Sequence, residues 1–222
     1  MGENFRVPAQ GVAARTYRGR YVRLEPIDVP RHAAQIFAAG HGTPKAERIW
    51  DYMPYGPFAD EAAMAEWLEG RARSADPLFC GVIDARDDTA KGMLSWLRIT
   101  PEHGVIEVGH IWYAEALQKT PAPTEAMLLL FTHVFDELGY RRLEWKCNAA
   151  NEASRSAALR FGFTFEGVFR QHMVIKGRNR DTAWFSILDH EWPALRAAMQ
   201  AWLAPENFDG SGRQRRSLAA FR

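Results

Sequence analysis

The stretch Ile106 to Ala126, IEVGHIWYAEALQKTPAPTEA, constrains this chain more than any other. Its apolar, β-branched start reads as a strand that runs to Tyr113. A short loop with two prolines follows. Thr124 and Glu125 then open a helix that continues as MLLLFTHVFDEL. The first turn of a helix leaves backbone N–H groups without intrahelical partners and carries partial positive charge, so this arrangement suits a phosphate. Any α/β protein contains several such βα units, so the flanking segments must decide.

On the N-terminal side, residues 1–14 are aperiodic and read as a flexible tail. Residues 21–24 alternate as a strand that Pro26 ends. Asp28 caps a helix over residues 30–39, and His41-Gly42-Thr43-Pro44 breaks it. Residues 49–58, IWDYMPYGPF, are too rich in aromatics and proline for a long helix. They form either a packed loop or a wall of a substrate pocket. Asp60 caps a second helix, where Met64, Trp67, Leu68 and Arg71 recur at helical spacing and Trp67 and Leu68 face the core. Residues 78–84 and 92–99 make a hairpin around Asp87-Asp88. A turn at residues 101–104 leads into the central strand, so three antiparallel strands lie in succession.

On the C-terminal side, Met127, Leu130, Phe131, Val134 and Leu138 line one side of the helix, and Gly139 closes it. A strand over residues 142–147 follows, and the βαβ connection makes it parallel to the central strand. Asn151 caps a helix over residues 152–161 that ends at Gly162. Residues 163–175 and 182–188 are two long strands joined through residues 176–180. A last helix covers residues 190–203. Residues 204–222 are rich in Gly, Ser and Arg and read as a disordered basic tail. Residues 15–203 read as a single domain.

The chain has 222 residues and a net charge of +1, which gives no overall field for nucleic acid or an anionic membrane. Cys80 and Cys147 lack metal spacing and fit a reducing compartment. Asp28, Asp51 and Asp60 also lack it, so no metal is expected. The start has no apolar segment of signal-peptide type, and no run reaches the ~18 residues of a membrane span. The cytoplasm is the expected location.

The element order, with the run LGYRRLEWKCNAANEASRSAALRFGFTFEGVFR, resembles the GNAT N-acetyltransferase superfamily. The marks are Asn151-x-x-Ser154, Gly162-Phe163, Glu166-Gly167 and Asp181-Thr182-Ala183-Trp184. They are similar to the branch of the ribosomal-protein N-terminal (serine/alanine) acetyltransferases. The resemblance implies an α+β, three-layer fold. Its central sheet would be mixed and mostly antiparallel, with a splayed parallel strand pair and flanking helices.

It also implies acetyl-CoA as co-substrate and an amine acceptor, either a protein N-terminus or a small molecule. In this family pattern Gln118 opens the pyrophosphate clamp. Lys119 and the N–H groups of Thr120, Ala122, Thr124, Glu125 and Ala126 would meet phosphate oxygens. The pattern places small residues where this chain has Pro121 and Pro123, which lowers the donor count. Main-chain groups of Ile111 and Trp112 would face the pantetheine amides, while their side chains belong to the core. Asn151 would reach a pantetheine amide or serve as helix cap. Ser154 matches the serine that protonates the leaving thiolate.

The amine must lose a proton. Glu107, on the central strand in an apolar run, is the first choice of base if it faces inward; His110 is the reserve. Strand alternation puts them on opposite sides unless a bulge intervenes. Cys147 reads as a small core residue and His133 as a surface residue. His172 and the 176–180 turn form a basic tip. A non-catalytic CoA-binding module and transfer of a larger acyl group such as succinyl remain as alternatives. Oligomeric state is open, a homodimer included.

Overall fold

A computed structural model describes residues 7–222. The main elements are β1 (Tyr17–Arg18), β2 (Val22–Pro26), α1 (Val29–Gly40), α2 (Pro44–Glu47), α3 (Glu61–Ala72), β3 (Leu78–Asp84), β4 (Thr89–Thr100) and β5 (Val105–Tyr113). They continue with α4 (Ala122–Thr132), β6 (Arg142–Asn148), α5 (Glu152–Phe161), β7 (Thr164–Ile175), β8 (Arg178–Leu188) and α6 (Trp192–Leu203). The hydrogen-bonded strand order is β1-β2-β3-β4-β5-β6-β8-β7. β5 and β6 run parallel, from Val105 opposite Arg142 to Glu107 opposite Glu144. The α4 crossover makes that possible, because parallel neighbours need a long connection. The outer pairs β1–β2, β2–β3, β3–β4, β6–β8 and β7–β8 are antiparallel. This is the mixed, mostly antiparallel sheet with a parallel pair and flanking helices that the sequence predicts.

Local chemistry explains the boundaries. Asp28, Asp60 and Asn151 each accept a backbone N–H from the first turn of α1, α3 and α5 with a side-chain oxygen. Gly162 closes α5 at φ 100°, a left-handed conformation that glycine adopts without Cβ strain.

The chain divides into two compact units, both discontinuous. The first holds the residues through Val12, Ile99–Glu107 and Met127–Arg222; the second holds Ala13–Arg98 and Val108–Ala126. The chain therefore passes from one unit to the other at residues 12/13, 98/99, 107/108 and 126/127. This division does not follow chain order; the sequence reading takes residues 15–203 as one domain. The second unit packs α1 and α3 on its strands through Ile36, Met64, Leu68, Phe79, Met93 and Trp112. The first unit joins Phe131, Trp145 and Trp192 through edge-on ring contacts, with Phe163 between Phe131 and Trp145.

Several expectations are corrected. β1 and α2 were not foreseen, being too short to show a period. α4 begins at Ala122 rather than Thr124, and it continues as a π-helical turn over His133–Glu137. His133 is buried, not on the surface, and pairs with Glu137 at 2.9 Å. Trp67 is half-buried rather than core. The β7–β8 turn is shorter than five residues, because β8 starts at Arg178. α6 begins at Trp192.

Residues 204–222, expected to be disordered, form an ordered strap with 3-10 turns at Pro205–Asn207 and Leu218–Phe221. Leu218 is buried, and the buried Asn207 amide donates to Trp202 O at 2.9 Å and to Arg216 O at 3.2 Å. These few anchors outweigh the polar composition. Residues 1–6 of the expected N-terminal tail lie outside the described residues. Beyond them, Ala9 N–H donates to Pro101 O and Gln10 N–H to Leu138 O, each at 2.9 Å. No helix among the described residues is long and apolar enough to cross a membrane.

Candidate active site

In the second unit, the loop after β5 is closed upon itself. Gln118, exposed, donates from its side-chain amide to Tyr113 O at 2.8 Å. Lys119 is exposed in a left-handed conformation, φ 60°. Thr120 donates its hydroxyl to Leu117 O at 2.7 Å. Pro121 then ends the loop, and its carbonyl accepts the N–H groups of Thr124 at 3.1 Å and Glu125 at 3.0 Å. Those two donors, expected to face phosphate, are thus already engaged within the first turn of α4. Pro123 has no N–H. Ala122 N–H makes only a 3.3 Å contact to Thr120 Oγ1, and it is the one first-turn donor left with such a weak partner.

The Glu125 side chain has a role that the sequence did not reveal. It is buried and accepts three backbone N–H groups: Arg20 at 2.8 Å, Tyr21 at 2.6 Å and Val22 at 3.0 Å. The carboxylate therefore ties the β1–β2 turn to the start of α4. Gly19 permits this approach, since a Cβ there would run into the carboxylate.

His110 sits at φ 53° inside β5, an irregularity of the kind that strand alternation alone does not predict. Its ring lies 5.6 Å from Tyr55 and 5.0 Å from Phe79. The 49–58 loop is packed: Trp50 is buried, donates to Gly40 O at 2.8 Å, and meets Trp112 at 5.3 Å. Trp112 is core as expected, but Ile111 is half-exposed.

In the first unit, Glu107 faces inward and is buried. Its surroundings are charged rather than apolar. Lys146 Nζ stands 3.0 Å from Glu107 and 2.7 Å from Glu144, with the Lys146 side chain 4% exposed. Arg142 donates to Glu144 at 2.8 Å and, from both terminal nitrogens, to Glu166 at 2.7 and 2.6 Å. Ser186 donates to Glu166 at 2.7 Å. Burial pushes the Glu144 carboxyl up, but hydrogen bonds from Lys146 and Arg142 outweigh it and hold the carboxyl below its usual range. Lys146 also lies 3.8 Å from the centroid of the Trp184 ring.

Asn151 is the helix cap, its side-chain oxygen accepting Ser154 N–H at 3.1 Å. Ser154 Oγ in turn accepts the buried Trp145 indole N–H at 3.0 Å. Cys147 is buried; burial raises its thiol, and the neighbouring Ser154 hydroxyl opposes that. The structure thus gathers Ser154, Asn151, Trp145 and Cys147, and separately Glu107, Lys146 and Glu144. Trp145 and Lys146 were missed. The alternation of β6 was the available signal, because it puts Trp145 and Cys147 on one face and Lys146 on the other. No group of three or more His, Cys, Asp or Glu able to hold a metal occurs among the described residues.

The family model described as an acetyltransferase (GNAT) domain matches residues 22–164. A crystal structure of a GCN5-related N-acetyltransferase from Brucella melitensis is 49% identical, covers 97% of this chain and 97% of its own, and superposes with a TM-score of 0.94. The ribosomal-protein-serine acetyltransferase of Escherichia coli is 33% identical over 86 residues, 39% of this chain and 48% of its own length. The chain spans about half the length of the curated relatives it matches. The microcin C7 self-immunity acetyltransferase MccE, solved with acetyl-CoA and AMP, shares the fold at 20% identity, with a TM-score of 0.67 over 77% of this chain and 93% of its own.

Proposed function

This chain belongs to the GNAT acetyltransferase family, and we propose that it transfers the acetyl group of acetyl-CoA to a primary amine by direct attack on the thioester. The amine nitrogen forms the new bond to the carbonyl carbon, and the carbon–sulfur bond breaks. Backbone N–H groups of Ile111 or Trp112 stabilise the oxyanion. Ser154 donates its proton to the departing thiolate. Glu107, charge-balanced by Lys146, takes a proton from the amine, directly or through water.

The observation that carries this reading is the hydrogen bond from Trp145 Nε1 to Ser154 Oγ. An indole only donates, so it occupies an oxygen lone pair and leaves the hydroxyl proton available to a sulfur. The residues that would hold the diphosphate of CoA are Gln118, Lys119, Thr120, Ala122 and Ala126, the last as an expectation from the family pattern. Asn151 would hold the pantetheine arm to the extent that capping leaves its amide free.

A non-catalytic CoA-binding module is favoured by one observation, the capture of the Thr124 and Glu125 N–H groups by Pro121 O. Thiol release from acetyl-CoA across a panel of peptide and small-molecule amines, beside calorimetry with CoA, separates the two. Binding without turnover on the whole panel supports the module. Repeating the panel with succinyl-CoA tests a larger acyl group.

A further inference from the structure

Arg71 lies in the last turn of α3 and is half-buried. Its guanidinium carbon is 5.3 Å from the Trp67 ring centroid and 6.0 Å from that of Phe79. Its Nε–H is sealed from solvent without an acceptor, and among the described residues no carboxylate pairs with it. Arg73, two residues on, is an ordinary surface arginine paired with Glu69 at 3.3 Å. The Tyr55 hydroxyl is also buried without a partner. Tyr55 packs on Trp67 at 4.2 Å and on His110 at 5.6 Å, and Phe79 meets His110 at 5.0 Å. All these residues belong to the second unit. One aromatic wall therefore runs from an uncompensated guanidinium to the irregular point of β5, with a second unmet hydroxyl on the way.

We propose that Arg71 is an anchor for a carboxylate on the acceptor, so that the preferred substrates are amines bearing a carboxylate a few bonds away. A guanidinium keeps its charge when half-buried and matches a carboxylate in a two-pronged geometry. The Trp67 and Phe79 rings lie within cation–π range of its charge. The Nε–H and the Tyr55 hydroxyl are sealed, so it is the terminal guanidinium nitrogens, on a side chain only half-buried, that meet the carboxylate. Neither Arg71 nor the four rings carry negative charge, so the wall gives no reason to favour polyamines. The carboxylate can come from an acidic side chain near a peptide N-terminus or from a free amino acid. The inference rests on the acetyltransferase reading only for the word substrate.

The experiment uses matched acceptors: Ser-Asp-Ala against Ser-Asn-Ala with amidated C-termini, and 4-aminobutyrate against 4-aminobutanamide. In the full-length protein, kcat/KM for the acid should exceed that for the amide by about tenfold or more in at least one pair. The favoured pair tells the source. Arg71→Met should bring the ratio to about 1, and Arg71→Lys should restore it in part. Binding of the same pairs to the CoA-loaded protein is followed by calorimetry, with circular dichroism to verify folding of each variant. Acid preference in binding without any turnover leaves the anchor standing and removes the enzyme reading. No acid preference in the unaltered protein, or a preference that survives Arg71→Met, overturns the anchor.

Discussion

Glu125→Ala provides the most direct measure of what joins the β1–β2 turn to α4. The carboxylate accepts three backbone N–H groups, and Ala would leave all three without that acceptor. A hydrogen bond to a charged group is worth about 1.5–3 kcal/mol, and these three share one side chain, so their losses do not simply add. Water can reach the Arg20 end, so the expected cost is about 3–5 kcal/mol. Glu125→Gln keeps one oxygen. That oxygen can serve Tyr21 and Val22, while the new NH₂ opposes the Arg20 N–H; the cost should be about 1–3 kcal/mol. Urea unfolding followed by tryptophan fluorescence reads both values from the midpoint at constant slope. Thermal scans should show Ala lowering Tm by about 10 °C. If both variants stay within about 0.5 kcal/mol of the original protein, the carboxylate is not what holds the turn.

Four further outcomes are expected. Ser154→Ala should lower kcat roughly 10–100-fold with CoA affinity kept, and Trp145→Phe should lower it about 3–10-fold but have no further effect once Ser154 is gone; additive losses would separate Trp145 from the proton donor. Glu107→Gln should reduce turnover most at low pH, where fewer amines are already deprotonated, and an unaltered pH profile would move the base to His110 or water. Pro123→Ala returns a backbone N–H to the first turn of α4, so calorimetry should show CoA binding about 3–10-fold tighter if that turn meets the diphosphate; unchanged affinity argues against it. For Asp84, burial raises the carboxyl, but bonds from Arg86 and Lys91 outweigh it and leave the pKa below the usual range. Its stabilising effect is therefore fully present above the unfolded value of about 3.9 and is lost as pH falls toward the folded one. Asp84→Asn should flatten the acid limb of a stability–pH curve, and an unchanged limb would show that other carboxylates set it.

Most of the fold was legible because caps and periods agree. Asp28, Asp60 and Asn151 mark helix starts that a single residue controls, and Gly162 marks an end for the same reason. β3 and α5 have the very bounds that pattern predicts. What could not be read was whatever depends on partners far along the chain. Glu125 looked like a helix-start residue with a free N–H. Its buried carboxylate answers to a turn more than a hundred positions earlier, and its N–H is taken by Pro121. Glu107 looked isolated among apolar neighbours because its companions, Glu144 and Lys146, arrive only with the parallel strand. The strap after Pro205 failed in the opposite direction. Its composition is that of a loose tail, while one leucine and one asparagine amide are enough to seat it.

The four passages of the chain from one compact unit to the other mean that no gene fragment encodes either unit by itself. A protease cut anywhere between residues 13 and 126 leaves both units with segments supplied from each side of the break. Denaturation should accordingly proceed as one event, and libraries that recombine contiguous blocks of this sequence with a relative's should tolerate few junctions inside β5 or α4.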